Sequence, residues 1–238
     1  MQNASRSSSS SFPEGIKNLL ILNGLAFLAQ VVIDGLPDLQ GPLLQWFALW
    51  PAGTPDVVST GQGMVAIPQF YPWQLVTMAF LHGGFSHILF NLYALFIFGV
   101  VVEQTLGTRR FLILYGVSVL GASLLQLATI SAPYFTASGS VIPPPFPTLG
   151  ASGGVMGVLA ACALLFPRSE IYIIPFPVPI QMRWLALGYV ALDVLGGFGA
   201  TSDGVAHFAH LGGFAAGALL LQYWRGRLPI RPRARLST

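Results

Sequence analysis

The chain has 238 residues, of which 54% are hydrophobic and 8% are charged, whereas about 25% of the residues in a soluble domain are charged. This composition excludes a soluble globular fold, and the continuous apolar runs disfavour a membrane β-barrel, whose strands alternate apolar and polar residues. The net charge is +3, and the basic residues are too few and too scattered to follow a nucleic-acid backbone. The sequence therefore predicts an all-α, polytopic helical membrane bundle that binds no nucleic acid.

Apolar segments recur along the chain and define its predicted organisation. Residues 1–14, with a serine run at 7–11, are predicted to be a disordered tail. Residues 15–225 are predicted to form one membrane domain of six transmembrane helices, and residues 226–238 a basic cytoplasmic tail. The loop 34–72 keeps several Trp and Leu residues and is predicted to lie in the outer membrane interface. The predicted spans are 16–33, 74 or 85 to 102, 111–130, 150–166, 184–198 and 205–224.

The distribution of basic residues supports both the number of spans and their orientation. With the N-terminus inside, the inner segments are the N-terminal end, 103–110, 167–183 and the C-terminal tail. These segments, together with the inner end of the first span, hold all eleven Lys and Arg residues, which agrees with the positive-inside tendency. The predicted orientation therefore places both termini in the cytoplasm.

Five polar side chains interrupt the predicted spans, and polar groups inside a membrane mark function by default. At a rise of about 1.5 Å per residue, Ser152 and His210 both lie about 22 Å above the inner boundary, and Asn91 lies at about 24 Å. The hydrocarbon slab is about 30 Å thick, so these groups lie near one level below the outer surface and can converge. The five residues are His87, Asn91, Ser152, His207 and His210.

Ser152 stands in the sequence Gly-Ala-Ser-Gly-Gly at the outer end of the fourth span. Gly150 and Gly154 have the small-xxx-small spacing of closely packed helices, which is one explanation of this segment. The other is a serine nucleophile, which needs a neighbouring base to take its proton. His210 is the best-placed base, although it equally suits an interhelical hydrogen bond.

His87 and Asn91 are four residues apart and therefore share one face of the second span. Their donors either hold helices together or form an oxyanion hole, in which each donor contributes about 3 to 4 kcal/mol. His82 stands before the span and is predicted to be a structural hydrogen-bond partner.

Together these residues resemble the rhomboid family of intramembrane serine proteases over about residues 15–225. Four motifs carry the resemblance, and they are specific together because they stand in the right order, helix and depth. The second helix has His-x4-His-x3-Asn and Gly-x3-Glu-x3-Gly, the fourth has Gly-x-Ser-Gly, and the sixth has Ala-His-x-x-Gly. The motif residues are His82, His87, Asn91, Gly99, Glu103, Gly107, Gly150, Ser152, Gly153, Ala209, His210 and Gly213.

The resemblance implies a six-helix rhomboid-like fold and a serine endopeptidase that cleaves transmembrane segments near the outer face of the bilayer. Ser152 would be the nucleophile and His210 the general base of a dyad that requires no carboxylate. His87, Asn91 and the Ser152 backbone amide would line the oxyanion hole, and His82 would organise the loop behind it. The expected partners are transmembrane protein substrates and the lipid bilayer.

Further roles are implied around this dyad. The first outer loop would help the substrate to enter, and the turn 196–204 would form a mobile cap over a water-filled cavity. Glu103 would tie helix ends together on the cytoplasmic side. Supporting roles fall to Gly150, Gly153, Met156 and His207, and structural roles to Gly99, Glu103, Gly107 and Gly213.

Two positions depart from the family pattern. Met156, four residues after Ser152, replaces an aromatic residue that often stacks on the histidine, although a thioether can also contact the ring. Gln74 replaces a common arginine beside Trp73, and we expect it to weaken lipid or loop contacts.

Two polar residues have roles that the resemblance does not fix. His207 lies one turn before His210, where it could be a second proton acceptor, and a supporting role is expected. Asp193 in the fifth span is a candidate third catalytic member.

Other functions fit parts of the pattern. A non-enzymatic relative that binds and escorts membrane proteins would lack the serine or the histidine, and both are present. A small transporter or channel would line its pathway with intramembrane His and Asn residues. A zinc protease is disfavoured, because the histidines lack a His-Glu-x-x-His motif and a carboxylate at ligand spacing. No metal or other cofactor is therefore predicted.

Overall fold

Helices make up most of the structure, a computed structural model that describes residues 12–34, 41–60, 63–136, 145–173, 176–199, 204–230 and 236. Among the described residues, the longest helices occupy the predicted spans, and the prediction of an all-α helical membrane bundle is confirmed. In chain order the elements are α1 (Glu14–Asp34), α2 (Pro42–Phe47), β1 (Val57–Thr60), β2 (Gly63–Ala66), α3 (Gln74–Thr77), a 3-10 turn (Met78–Phe80), α4 (Phe85–Leu106), α5 (Thr108–Thr136), α6 (Ser152–Leu165), β3 (Glu170–Ile173), β4 (Phe176–Gln181), α7 (Met182–Phe198) and α8 (His207–Trp224).

The helix α6 forms the centre of the bundle. Three described helices, α1, α4 and α5, are long and apolar enough to cross a membrane by length and composition, whereas α6 is apolar but shorter. Every residue of α6 from Gly153 to Ala163 is buried, as expected for a helix that is apolar all round. Its neighbours are α4, α5, α7 and α8. Ser152, the first residue of α6, is therefore held by the best-packed helix of the fold.

Glycines allow α8 to pack directly against the backbone of α6. A Cβ atom added to Gly213 would overlap the carbonyl oxygen of Gly153, and one added to Gly217 would lie 2.7 Å from the Cα of Gly157. In a membrane, small residues of this kind let helices approach until their backbones are in van der Waals contact. Helix packing therefore explains part of the glycine pattern around Ser152, and it also brings α8 to the serine.

The Glu103 carboxylate joins the N-terminus of α1 to the C-terminal end of α4. It accepts hydrogen bonds from the backbone N–H groups of Gly15 at 2.8 Å and Ile16 at 2.7 Å, and from the Thr108 hydroxyl at 2.7 Å. The first N–H groups of a helix have no partner inside it, and a negative charge there also suits the helix dipole. A Cβ atom added to Gly99 would overlap the Ile16 side chain. The glycine and the glutamate thus both hold α1 against α4.

We expect Glu103→Ala to lower the free energy of unfolding by about 3 kcal/mol, because buried N–H and O–H groups lose their acceptor. Glu103 is 3% exposed, so water does not replace the carboxylate. The measurement is denaturant-induced unfolding of the purified protein in detergent. Glu14→Ala is the matched control, because Glu14 lies on the surface beside Lys17, and it should cost less than about 0.5 kcal/mol. Equal stability of the two variants would contradict the role of Glu103.

The first loop contains α2, the hairpin of β1 and β2, and a stack of aromatic rings. The Tyr71 ring lies 5.3 Å from the Trp46 ring and 4.6 Å from the Trp73 ring, measured between centroids. Gln74 is fully buried, and its side chain bonds the backbone of Trp46 and Trp50. Gln74 thus holds the first loop through bonds of its own, and the expected weakening relative to arginine stays a prediction. An amide can donate to one backbone group and accept from another, whereas arginine only donates.

The connector between α6 and α7 forms a hairpin that its proline content did not predict. The strands β3 and β4 are antiparallel, with Glu170 opposite Gln181 and Tyr172 opposite Pro179. In a two-stranded ribbon both outer edges are open, so a proline nitrogen can face away from the partner strand without losing a ladder bond. Proline therefore breaks a helix here but does not prevent strand pairing.

One helix boundary decides between two predicted starts, and another differs from its predicted span. The second span begins at Phe85, since α3 and the 3-10 turn form a separate segment before it. The helix α5 continues past Pro133 to Thr136, beyond the predicted end at 130. Gly107, with a φ of 77° in the left-handed region that favours glycine, separates α4 from α5.

The predicted tails fall largely outside the described residues, which omit 1–11, 231–235 and 237–238. The backbone N–H of Leu236 donates to the carbonyl of Trp224 at 3.0 Å. At this residue the predicted basic tail contacts the end of α8. The domain boundaries at 15 and 225 stay predictions.

Candidate active site

Ser152 follows a turn that requires glycine. Gly150 has a φ of 128°, and its N–H donates to the carbonyl of Met78 at 2.9 Å. A Cβ atom added to Gly150 would lie 2.9 Å from the Nε2 atom of His87 and 3.7 Å from the hydroxyl oxygen of Ser152. The left-handed backbone and the nearby imidazole both exclude a side chain here. This glycine therefore brings the His87 ring and the Ser152 hydroxyl close to the same point.

His210 lies at the end of the first turn of α8, beside the start of α6. A Cβ atom added to Gly153 would lie 3.5 Å from the carbonyl oxygen of Ala209. The chain neighbours of Ser152 and His210 are thus almost in contact. No hydrogen bond joins the Ser152 hydroxyl to His210 among the described residues. The structure brings the two predicted catalytic residues to adjoining helix ends, and proton transfer between them stays a prediction.

One carboxylate oxygen on α7 contacts both histidines of α8. The Oδ1 atom of Asp193 lies 2.9 Å from the Nδ1 atom of His207 and 2.9 Å from the Nδ1 atom of His210. Asp193 is 4% exposed. Gly196 makes room for this arrangement, because a Cβ atom there would overlap the His207 ring. Asp193 and His207 are both candidates from the sequence. The sequence did not predict that one oxygen of Asp193 would contact both His207 and His210.

His87 and Asn91 stand on the face of α4 that meets this site. The Nδ1 atom of His87 accepts a hydrogen bond from the Gly83 N–H at 3.2 Å, so the hydrogen of the neutral ring is on Nε2. That is the nitrogen closest to Gly150. The Asn91 amide donates to the His87 carbonyl at 2.9 Å and has a second N–H. His87 and His210 are also near enough to interact electrostatically.

His82 is held in place chiefly through its backbone. Its carbonyl accepts from the Gln30 side chain at 2.8 Å, and its N–H donates to the same side chain at 3.0 Å. The ring is fully buried and makes edge contacts with the rings of Phe27 and His87. Burial, reinforced by the neighbouring His87, lowers the pKa of His82 to about 4. Among the described residues neither ring nitrogen has a hydrogen-bond partner, so the predicted bonding falls to the backbone of His82, and the ring supports His87 by packing.

Gln126 of α5 is a site residue that the sequence reasoning missed. Its Nε2 atom donates to the Thr148 hydroxyl at 3.0 Å, and its Oε1 atom accepts from the Ala209 N–H at 3.1 Å. It therefore connects the segment before Ser152 with the first turn of α8. The sequence did contain a signal for Gln126. Its amide side chain lies within an apolar span, as that of Asn91 does, and polar groups inside a membrane mark function by default.

Met156 and the cap are the remaining predicted parts of the site. Met156 is 5% exposed and lies in the apolar core one turn after Ser152. The predicted cap 196–204 includes residues 200–203, which lie outside the described residues.

The fold and the site define a helical membrane protein in which polar residues of five helices, α4 to α8, lie near the start of α6. The Rhomboid domain family model matches residues 69–226 of the chain, which is more than half of its length. The chain therefore belongs to the rhomboid family. The resemblance inferred from the four motifs is confirmed.

Individual relatives agree with this membership. The chain is 31% identical over 150 residues to RHOMBOID-like protein 12, mitochondrial, of Arabidopsis thaliana, covering 61% of this chain and 44% of that protein. It is 30% identical over 166 residues to rhomboid protease AarA of Providencia stuartii, with 62% and 54% covered. It is 28% identical over 153 residues to rhomboid protease GluP of Bacillus subtilis (strain 168), with 62% and 26% covered. The chain thus spans about half or less of the length of these relatives.

Proposed function

We propose that this integral membrane protein is a serine endopeptidase that cleaves transmembrane segments of other membrane proteins near the outer face of the bilayer. Ser152 is the nucleophile and His210 is the general base. The observation that carries the proposal is the glycine-mediated packing of α6 on α8, which puts the residues next to Ser152 and His210 almost in contact. The names of the relatives AarA and GluP, both rhomboid proteases, support it.

The reaction is an acyl transfer through the serine. His210 takes the proton of the Ser152 hydroxyl while the oxygen attacks the carbonyl carbon of the scissile peptide. His210 then gives this proton to the amide nitrogen as the C–N bond breaks, and a serine ester remains. A water molecule, deprotonated by His210, hydrolyses the ester and restores the serine.

The negative oxygen of each tetrahedral intermediate needs donors that are already in place. The Nε2–H of His87 and the free N–H of Asn91 supply two of them from α4. The Ser152 backbone N–H supplies a third, because the first N–H groups of α6 have no partner within the helix and carry its positive dipole end.

We propose that both termini lie in the cytoplasm of a bacterial cell and that the site opens toward the opposite face of its inner membrane. The support for this orientation is that all eleven Lys and Arg residues fall in the predicted inner segments or, for Lys17, at the inner end of the first span. A substrate helix must unwind locally to expose its peptide bond, so helix-weakening residues such as Gly are expected near the cleavage point.

A fluorophosphonate tests the proposal, since it reacts with an activated serine and leaves an unactivated hydroxyl unmodified. We expect the purified protein in detergent to incorporate one equivalent of the probe at Ser152, located by peptide mass spectrometry. Ser169→Ala, which removes an exposed serine, should be labelled as fast as the unchanged protein. Absence of labelling together with absence of cleavage of a model transmembrane substrate would favour an escort protein or a transporter.

A further inference from the structure

Asp193 places a buried carboxylate between α7 and the histidines of α8. Its Oδ1 atom lies 2.9 Å from the Nδ1 atoms of both His207 and His210. Among the described residues its Oδ2 atom has no hydrogen-bond partner. The neighbouring Leu192 and Leu195 of α7 are exposed, which places Asp193 on the opposite, inward face of the helix. The polar contacts described for the Asp193 side chain are therefore those with the His207 and His210 rings.

This contact determines which nitrogen of His210 carries the hydrogen. An ionised carboxylate oxygen has lone pairs and no hydrogen, so a ring nitrogen bonded to it must be the donor. A neutral imidazole with its hydrogen on Nδ1 has its lone pair on Nε2. A general base takes the serine proton with that lone pair. The carboxylate therefore selects the form of His210 that can act as the base.

The same carboxylate also meets the charge that forms during the reaction. When His210 takes the serine proton, it becomes a cation on a side chain that is only 19% exposed. The described ionisable groups around it are Asp193 on α7, His207 on α8 and His87 on α4. Of these, only Asp193 can be negative, so it supplies the opposing charge. His207 donates to the same oxygen and restricts rotation of the carboxylate.

We propose that Asp193 is a positioning residue of the active site, which holds His210 with Nδ1–H toward α7 and with Nε2 available to Ser152. The serine proton moves to Nε2 and later to the leaving amide nitrogen, while Asp193 remains ionised throughout. This inference rests on the proposed protease function and goes beyond the serine–histidine dyad that the family resemblance implies.

The test compares Asp193→Asn and Asp193→Glu with the unchanged protein, using a model transmembrane substrate in detergent. The asparagine side chain keeps the shape of the aspartate, but its amide can donate to Nδ1, which selects the wrong form of His210. We expect Asp193→Asn to lower kcat by about 100-fold with KM changed less than about threefold. Fluorophosphonate labelling of Ser152 should slow in parallel. Asp193→Glu, which keeps the charge, should recover at least about tenfold of the loss in kcat.

Glu170→Gln is the matched control, because Glu170 is an exposed carboxylate in the connector between α6 and α7, and it should leave kcat and KM unchanged. A kcat for Asp193→Asn within threefold of the unchanged protein would overturn the proposal. So would an equal loss of activity in both Asp193 variants with an equally lowered melting midpoint, since Asp193 would then only tie α7 to α8. If the unchanged protein neither cleaves nor labels, the proposed protease function fails instead.

Discussion

Ser152→Ala is expected to reduce cleavage of a model transmembrane substrate by at least about 1,000-fold, because no other described group at the site can form the acyl intermediate. The substitution removes only a hydroxyl that is half-buried at the first position of α6 and makes no described hydrogen bond. Stability should therefore change by less than about 0.5 kcal/mol. The measurement is the initial cleavage rate in detergent, with the melting midpoint of each variant as a check on folding.

His210→Ala provides the companion experiment. If the serine and histidine act as a unit, the double variant should be no slower than either single variant, since losing one member already removes the function of the other. Ser169→Ala should retain the full rate. Cleavage by Ser152→Ala at the rate of the unchanged protein would show that another residue is the nucleophile.

The helical bundle could be predicted because a membrane imposes a simple rule on sequence. Each span must satisfy its backbone bonds internally, which gives long apolar segments, and the cationic residues collect at one side. Irregular segments follow no such rule. The hairpin of β3 and β4 depends on how the connector folds back between α6 and α7, and its prolines pointed only to the end of a helix.

The site could be predicted in part. The depth of Ser152 and His210 follows from counting residues along straight helices, and the structure brings their helices together. The rotation of α7 about its axis does not follow from counting, so Asp193 remained one polar residue among others. Its role depends on which side of α7 faces α8, and on that side Gly196 lies against the His207 ring. Gln126 was missed for the same reason, because its partners, Thr148 and Ala209, are distant in sequence.

Gly213→Ala is expected to lower the free energy of unfolding by about 3 kcal/mol, at the upper end of the usual cost of overpacking. The added methyl group would overlap the carbonyl oxygen of Gly153 and lie 2.7 Å from its carbonyl carbon. These are backbone atoms of the central helix, so no side chain can rotate away to relieve the contact. The helix α8 must move instead, and it carries His210 three residues earlier. We therefore also expect a loss of about 100-fold in cleavage rate, as for a displacement of about 1 Å at a catalytic group.

Gly188→Ala on α7 separates this packing effect from the general effect of replacing glycine in a helix. A Cβ atom added to Gly188 has no neighbour within 4 Å, and alanine is the better helix former by about 1 kcal/mol. This variant should be as stable as the unchanged protein or more so, and should cleave at the same rate. If Gly213→Ala matched it in both unfolding and cleavage, the close contact of α6 and α8 would not be what positions the serine and histidine.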